Sequence, residues 1–160
     1  MKKKTVKYQI REDEIIHKVA EKEIAYYRAS SVPALLNDDT HFLIDKTRKG
    51  ISMHQIQQQM NKYDLTLKEM ANVLNVSERT LQRYETHDLL GKDASERALH
   101  LQRLYERGTE VFGSLSVFCE WMKTPILLYN HELPISYLDT IFGFELLEQE
   151  LGRIEHGIFA

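Results

Sequence analysis

The nineteen-residue segment Leu67–Glu85, LKEMANVLNVSERTLQRYE, constrains this chain more than any other part of it. Two helices that cross closely need apolar residues on their facing sides, a small residue where the backbones pass, and a tight turn between. Met70, Leu74, Val76, Leu81 and Tyr84 supply the apolar positions, and Ala71 is the small residue. Asn75 stands at the turn, where a left-handed conformation is needed and Asn is the best tolerated residue after Gly. Ser77 is placed to cap the second helix through its hydroxyl. Small residue, turn and cap together separate a helix-turn-helix from a plain helical hairpin. In such a motif the second helix enters the DNA major groove. Its outward face here presents Ser77, Glu78, Arg79, Gln82 and Arg83. Arginine forks onto guanine O6 and N7, and glutamine onto adenine N6 and N7. Glu78 suits cytosine N4 or a balancing role beside Arg79, and each arginine taken singly is an ordinary solvated charge.

Helical spacing continues on both sides of the motif. No stretch alternates apolar and polar residues as a strand does, and no Asn-Gly or Asp-Gly hairpin occurs. The pattern predicts about nine helices and an all-α fold. Ile15, Ile16, Val19, Ala20, Ile24 and Tyr27 form a stripe over 11–28, closed by Ser30, Ser31 and Pro33. A short helix over Thr40–Lys49 ends at Gly50, and Ser52 caps the next, which bears Ile56 and Met60. Thr66 and Glu69 have capping-box spacing, and Asp93 and Glu96 repeat it ahead of a long amphipathic helix through Phe112. Gly113 and Ser114 precede a helix to about Lys123, stopped by Thr124 and Pro125. Pro134 suits the first turn of a short helix ending near Phe142. The last helix is expected from about Glu145 to His156, with Gly157 as its stop. Three segments result: a helical extension (1–39), a helix-turn-helix module (40–93) and a small helical C-terminal module (94–160).

Composition enters where it excludes function classes. No apolar run nears the ~20 residues of a membrane span, and the N-terminus lacks an export-signal core, so a cytoplasmic location away from membranes is expected. The single cysteine, Cys119, excludes an intrachain disulfide and a cysteine zinc site, and reads as a small buried hydrophobe. The net charge of −3 conceals a split: residues 94–160 hold 5 Lys/Arg against 10 Asp/Glu, the remainder 16 against 14. That sign suits an N-terminal half facing phosphate. Residues 64–93 are slightly acidic, so firm DNA binding calls for a dimer, as does a motif that reads one half-site. The amphipathic stretch Glu96–Phe112 is the candidate dimer surface, and Lys2, Lys3, Lys4 and Lys7 are candidate phosphate contacts. Seven histidines form no His-Glu-x-x-His pair, seven glycines form no phosphate loop, and no nucleophile elbow is present. The chain is therefore read as a non-enzyme with no metal and no cofactor.

A family resemblance begins near Leu101. Leu104-Tyr105-Glu106-Arg107, Val111-Phe112-Gly113 and Trp121-Met122-Lys123-Thr124-Pro125 resemble the toxin-binding domain of the Xre/MbcA/ParS antitoxins. So do Leu133-Pro134-Ile135, Leu138-Asp139-Thr140, Gly143 and the closing run Leu151 to Ala160. Upstream, Thr47 to Ile51 and Ser95-Glu96-Arg97 are similar to the same family, so the likeness spans about residues 40–160. Between Pro125 and Pro134 the family usually carries glycines, whereas this chain has Tyr129-Asn130-His131.

The resemblance implies an antitoxin that represses its own operon through the helix-turn-helix and binds a cognate toxin through its C-terminal domain. The implied toxin is a RES-domain protein that consumes NAD, or a related ADP-ribosyltransferase-like enzyme. It also implies that the antitoxin's last residues block the toxin's active-site cleft: here Arg153, Ile154, His156, Gly157, Ile158, Phe159 and Ala160. Leu146, Leu147, Glu150, Leu151 and Ile154 make the final helix amphipathic, and the chain closes on two large apolar groups and a carboxylate. Such a tip fits an apolar slot beside a cation. The plainer alternative is a helix end on which Ile158 or Phe159 folds back, with Arg153 and His156 as favourable charges near the helix C-terminus. Two other functions fit the same residues. One is a stand-alone regulator using its C-terminal domain for dimerisation or polar localisation, the other a structural adaptor with a degenerate helix-turn-helix.

Overall fold

A computed structural model describes residues 39–126 and 129–157. The expected helix over 11–28, the N-terminal lysines and the tail Ile158–Ala160 lie outside the described residues. Within them the fold is all-α: seven α-helices and one 3-10 helix, with two isolated antiparallel bridges and no strand. The helices are α1 (Asp39–Lys49), α2 (Met53–Tyr63), α3 (Leu67–Val73), α4 (Glu78–Arg83), α5 (Lys92–Phe112), α6 (Leu115–Met122) and α7 (Ile141–Glu155), with the 3-10 helix at Pro134–Asp139 before α7.

Local chemistry explains most boundaries. Ser52 and Thr66 each form a full capping box, with Gln55 and Glu69 reaching back to the cap N–H. Ser114 caps α6, its hydroxyl accepting from Val117 N–H at 3.2 Å. Gly50 ends α1 at φ +90°, and a Cβ there would lie 2.8 Å from the Leu90 carbonyl oxygen. Two expectations need correction. Asp93 does not cap α5, which begins at Lys92 behind Gly91 without a side-chain cap. The reason is Ser95: it is fully buried, accepts from Ile51 N–H at 2.9 Å and donates to the Leu90 carbonyl at 3.2 Å. That grip sets the helix's start and leaves the Asp93–Glu96 pair outside any box. The short helix expected from Pro134 to Phe142 is also two elements. Pro134 does start a turn, but the 3-10 helix ends at Asp139, and Thr140 then caps α7, accepting from Gly143 N–H at 3.1 Å. The last helix therefore begins four residues before the expected Glu145.

The described residues from His41 onward belong to one unit, and α5 is its spine. It packs against α2, α3, α6 and α7, while the 3-10 helix rests on α3, α6 and α7. Ala98, Leu99, Leu101, Leu104, Tyr105 and Gly108 of α5 are buried, each large apolar group contributing about 1.5–3 kcal/mol. The apolar stripe of Glu96–Phe112 is thus spent inside the unit, and Glu96, Arg103, Glu106 and Glu110 are what it turns outward. Two helical glycines mark close approaches: a Cβ on Gly108 would sit 2.5 Å from the Phe118 ring, and one on Gly143 would overlap the Tyr137 carbonyl oxygen. Cys119 is half-buried, its thiol donating to the Tyr63 carbonyl at 3.5 Å, and burial raises its pKa while Lys123 opposes the shift.

Gly143→Ala is expected to lower stability by about 3 kcal/mol, read from chemical denaturation, because the clash is with backbone. The buried phenols set a second expectation. Burial, then the nearby Glu106 and Cys119, push Tyr63 up to about 12. Burial and Glu150 push Tyr129 up to about 12, against Arg153. An unfolded tyrosine titrates near ~10, so the folded state favours the neutral phenol. Its contribution is whole below pH ~10 and lost as pH rises through the folded value of about 12. Denaturation midpoints should hold up to that lower pH and then fall, and Tyr63→Phe should shrink the fall.

Candidate functional site

The helix-turn-helix is built from α3, the turn Leu74–Ser77, and α4. Asn75 takes φ +54°, as a turn of this kind demands. Its N–H donates to the Asn72 carbonyl at 3.0 Å, and Val76 N–H donates to Ala71 at 3.0 Å. Those two bonds are the paired closure of a Schellman motif, which satisfies the last carbonyls of α3. Ser77 then caps α4, its hydroxyl accepting from Thr80 N–H at 3.0 Å. Met70, Ala71, Leu74 and Leu81 are buried, and Val76 and Tyr84 pack half-buried against them. After α4 the chain turns back on α2: Met53 N–H donates to the Asp88 carbonyl at 2.9 Å and His54 N–H to Thr86 at 2.8 Å. The free N–H groups at the start of α2 thus hold the loop that follows α4.

All five groove-facing candidates, Ser77, Glu78, Arg79, Gln82 and Arg83, are exposed on one side of α4. Among the described residues neither arginine is in an ion pair, so Glu78 does not neutralise Arg79. The face is open, with two cations and an amide ready for an outside partner.

The C-terminal candidates are less uniform. Arg153 pairs with Glu150 at 2.8 Å along α7, and Ile154 is half-buried. His156 is exposed, its N–H donating to the Gly152 carbonyl at 3.2 Å, and Gly157 takes φ +65°, where the helix stops. The loop Tyr129–His131, where the resemblance leads one to expect glycines, takes positive φ at two non-glycine residues. Asn130 and His131 have φ +52° and +63°, and Glu132 N–H closes the turn onto the Tyr129 carbonyl at 2.9 Å. An L-residue held there costs about 1 kcal/mol, less for Asn.

Two features escaped the sequence. Arg97, half-buried on α5, donates to the carbonyls of Val73 at 3.2 Å and Asp139 at 3.1 Å. It ties α3 to the 3-10 helix, and nothing in its spacing signals this. Phe142 is 76% exposed at the start of α7. A helix read from Ile141 rather than Glu145 would have placed it outward, opposite Leu147 and Leu151. Among the described residues no group of three or more His, Cys, Asp and Glu is arranged to hold a metal ion, and no helix is long and apolar enough to cross a membrane.

An open recognition helix, with a long helix that runs on into a second helical module, defines a helix-turn-helix protein with an appended binding domain. Residues 44–103 match the antitoxin Xre-like helix-turn-helix domain, and residues 107–157 match the antitoxin Xre/MbcA/ParS C-terminal toxin-binding domain. The chain belongs to the Xre-type antitoxins. Antitoxin Xre of Yersinia enterocolitica is 29% identical over 143 residues, covering 88% of this chain and 95% of that protein. Antitoxin Xre of Photorhabdus laumondii is 36% identical over 67 residues, covering 41% of this chain and 45% of that protein.

Because Arg79 and Arg83 are exposed and unpaired within the described residues, their joint replacement by alanine should leave the melting temperature unchanged. It should abolish binding to palindromic operator DNA in a mobility-shift assay, with binding to the toxin intact. Loss of toxin binding as well would show that the two surfaces are not separate.

Proposed function

We propose that this antitoxin neutralises a RES-family toxin that degrades NAD, or a close ADP-ribosyltransferase-like relative, and represses its own operon as a homodimer in the cytoplasm. The observation that carries the reading is order: a helix-turn-helix match and a toxin-binding match follow one another along a single unit and adjoin within α5. Residues 40–93 read DNA, with Arg79, Gln82 and Arg83 on base edges and Ser77 and Glu78 flanking them. Residues 94–160 hold the toxin, and residues 1–39 are an N-terminal helical extension. Dimerisation follows from the operator side, since one recognition helix spans one half-site and two copies are needed for a palindrome. A repressor works where the chromosome is, hence the cytoplasm.

The tail Ile158–Phe159–Ala160 enters the toxin's active-site cleft and excludes substrate. Arg153, Ile154 and His156 line the approach, Arg153 exchanging Glu150 for a toxin group. No catalytic step is assigned to the antitoxin itself; its work is occupancy of a cleft and of an operator.

Co-expression with the toxin read from the neighbouring frame tests the mechanism, with growth and cellular NAD followed for the full chain and for a chain cut after His156. The full chain should preserve both and the cut chain neither. Protection by both would move inhibition to the globular surface, and protection by neither would favour a stand-alone regulator.

A further inference from the structure

Three glycines lie within the helices of the C-terminal half, and two have internal reasons, the Phe118 ring at Gly108 and the Tyr137 carbonyl at Gly143. Gly152 has none. It lies inside α7, and a Cβ there would meet no described residue within 4 Å. Glycine is the least favourable helix residue after proline, so a glycine with no internal use points to a contact from outside. Helical phase shows which face receives it. Helix α7 buries Gly143, Phe144, Leu147 and Leu151. The opposite face carries Phe142, Glu145, Gln149, Gly152 and His156, spaced by three and four residues. Phe142, at 76%, is the most exposed of the large apolar side chains among the described residues. The face therefore has an aromatic group at one end, polar groups between, and bare backbone at Gly152 about 15 Å along the helix.

We propose that this outward face of α7 is the seat of the toxin, with Phe142 filling an apolar slot and a backbone segment of the toxin lying directly over Gly152. The proposal rests on the toxin-binding reading above. The whole face falls inside residues 107–157, which match the toxin-binding domain, and it runs into the tail assigned to the cleft. Aromatic anchors carry much of an interface's binding energy, and glycine lets a partner's backbone approach closely. The carboxylate of Glu145 is exposed on the face itself, so the toxin's rim opposite it carries Lys or Arg. The division of labour follows: the helix face supplies affinity, and the tail stops the chemistry.

The test uses the full chain and the neighbouring-frame toxin with its catalysis disabled, with affinity measured by calorimetry. Leucine favours a helix more than glycine does, so Gly152→Leu should raise the melting temperature while weakening toxin binding at least 100-fold. Phe142→Gln should weaken it at least 10-fold, and operator DNA should bind both variants as before. Unchanged toxin affinity in both variants overturns this proposal and leaves the toxin-binding reading standing. Failure of the unaltered chain to bind the toxin overturns both. Loss of self-association with toxin affinity intact would make the face an interface between copies, and the proposal would fall.

Discussion

The ring of Tyr105 is the contact around which the unit is arranged. Tyr63 of α2 stacks on it at 4.1 Å, and Phe118 of α6 meets it edge-on at 5.1 Å. Phe118 in turn lies against Trp121 and Phe112. This aromatic column crosses from α2, in the segment that matches the helix-turn-helix domain, through α5 to α6 in the segment that matches the toxin-binding domain. Each such pair adds about 0.5–1.5 kcal/mol beyond the area it buries. Its demands reach along the chain: Gly108 is one turn from Tyr105 because the Phe118 ring occupies the space a side chain would need. The Tyr105 hydroxyl is buried with no hydrogen-bond partner among the described residues, a cost of about 1–3 kcal/mol that the ring's contacts outweigh.

Polar contacts fix what the aromatic column brings together. Arg97 ties the end of α3 to the end of the 3-10 helix, Ser95 pins α5 to Ile51 and Leu90, which flank the Ser52–Leu89 bridge, and Lys123 pairs with Asp64 at 2.6 Å across α6 and the end of α2. Arg107 and Glu155 close the seam between α5 and α7. The DNA-reading and toxin-binding modules are consequently parts of one body that share a helix, with no linker between residues 103 and 107. A toxin seated on α7 and an operator seated on α4 would be held at a set distance and angle.

Legibility in the sequence tracked how local the controlling interaction is. The cap at Ser52, the capping box at Thr66, the left-handed Asn75, the Ser77 cap and the stop at Gly157 depend on residues within five positions, and each was readable. The start of α5 was not, because Ser95 answers to Ile51, forty-four residues away. The split between the 3-10 helix and α7 was not, because Tyr137 and Gly143 meet only when the chain folds back on itself there. Of the candidate site, the outward face of α4 was legible from phase alone. Phe142 was missed because the last helix was begun too late, and phase is worth nothing without a correct start.

What the sequence by itself determined was the class: helical periods throughout, a helix-turn-helix with its turn chemistry, and a run of short motifs in family order. These are short-range properties, in which each residue's conformational preference and the period of its apolar neighbours suffice. What only the tertiary structure decided was which surfaces remain for partners. The amphipathic stripe of α5 could have served a second copy, but the fold turns it inward to meet α2, α3, α6 and α7, because burying it there satisfies four helices at once. The same packing leaves Phe142 outside and Gly152 bare. Exposure is a difference between what a helix offers and what its neighbours take, and only the packed structure contains the second quantity.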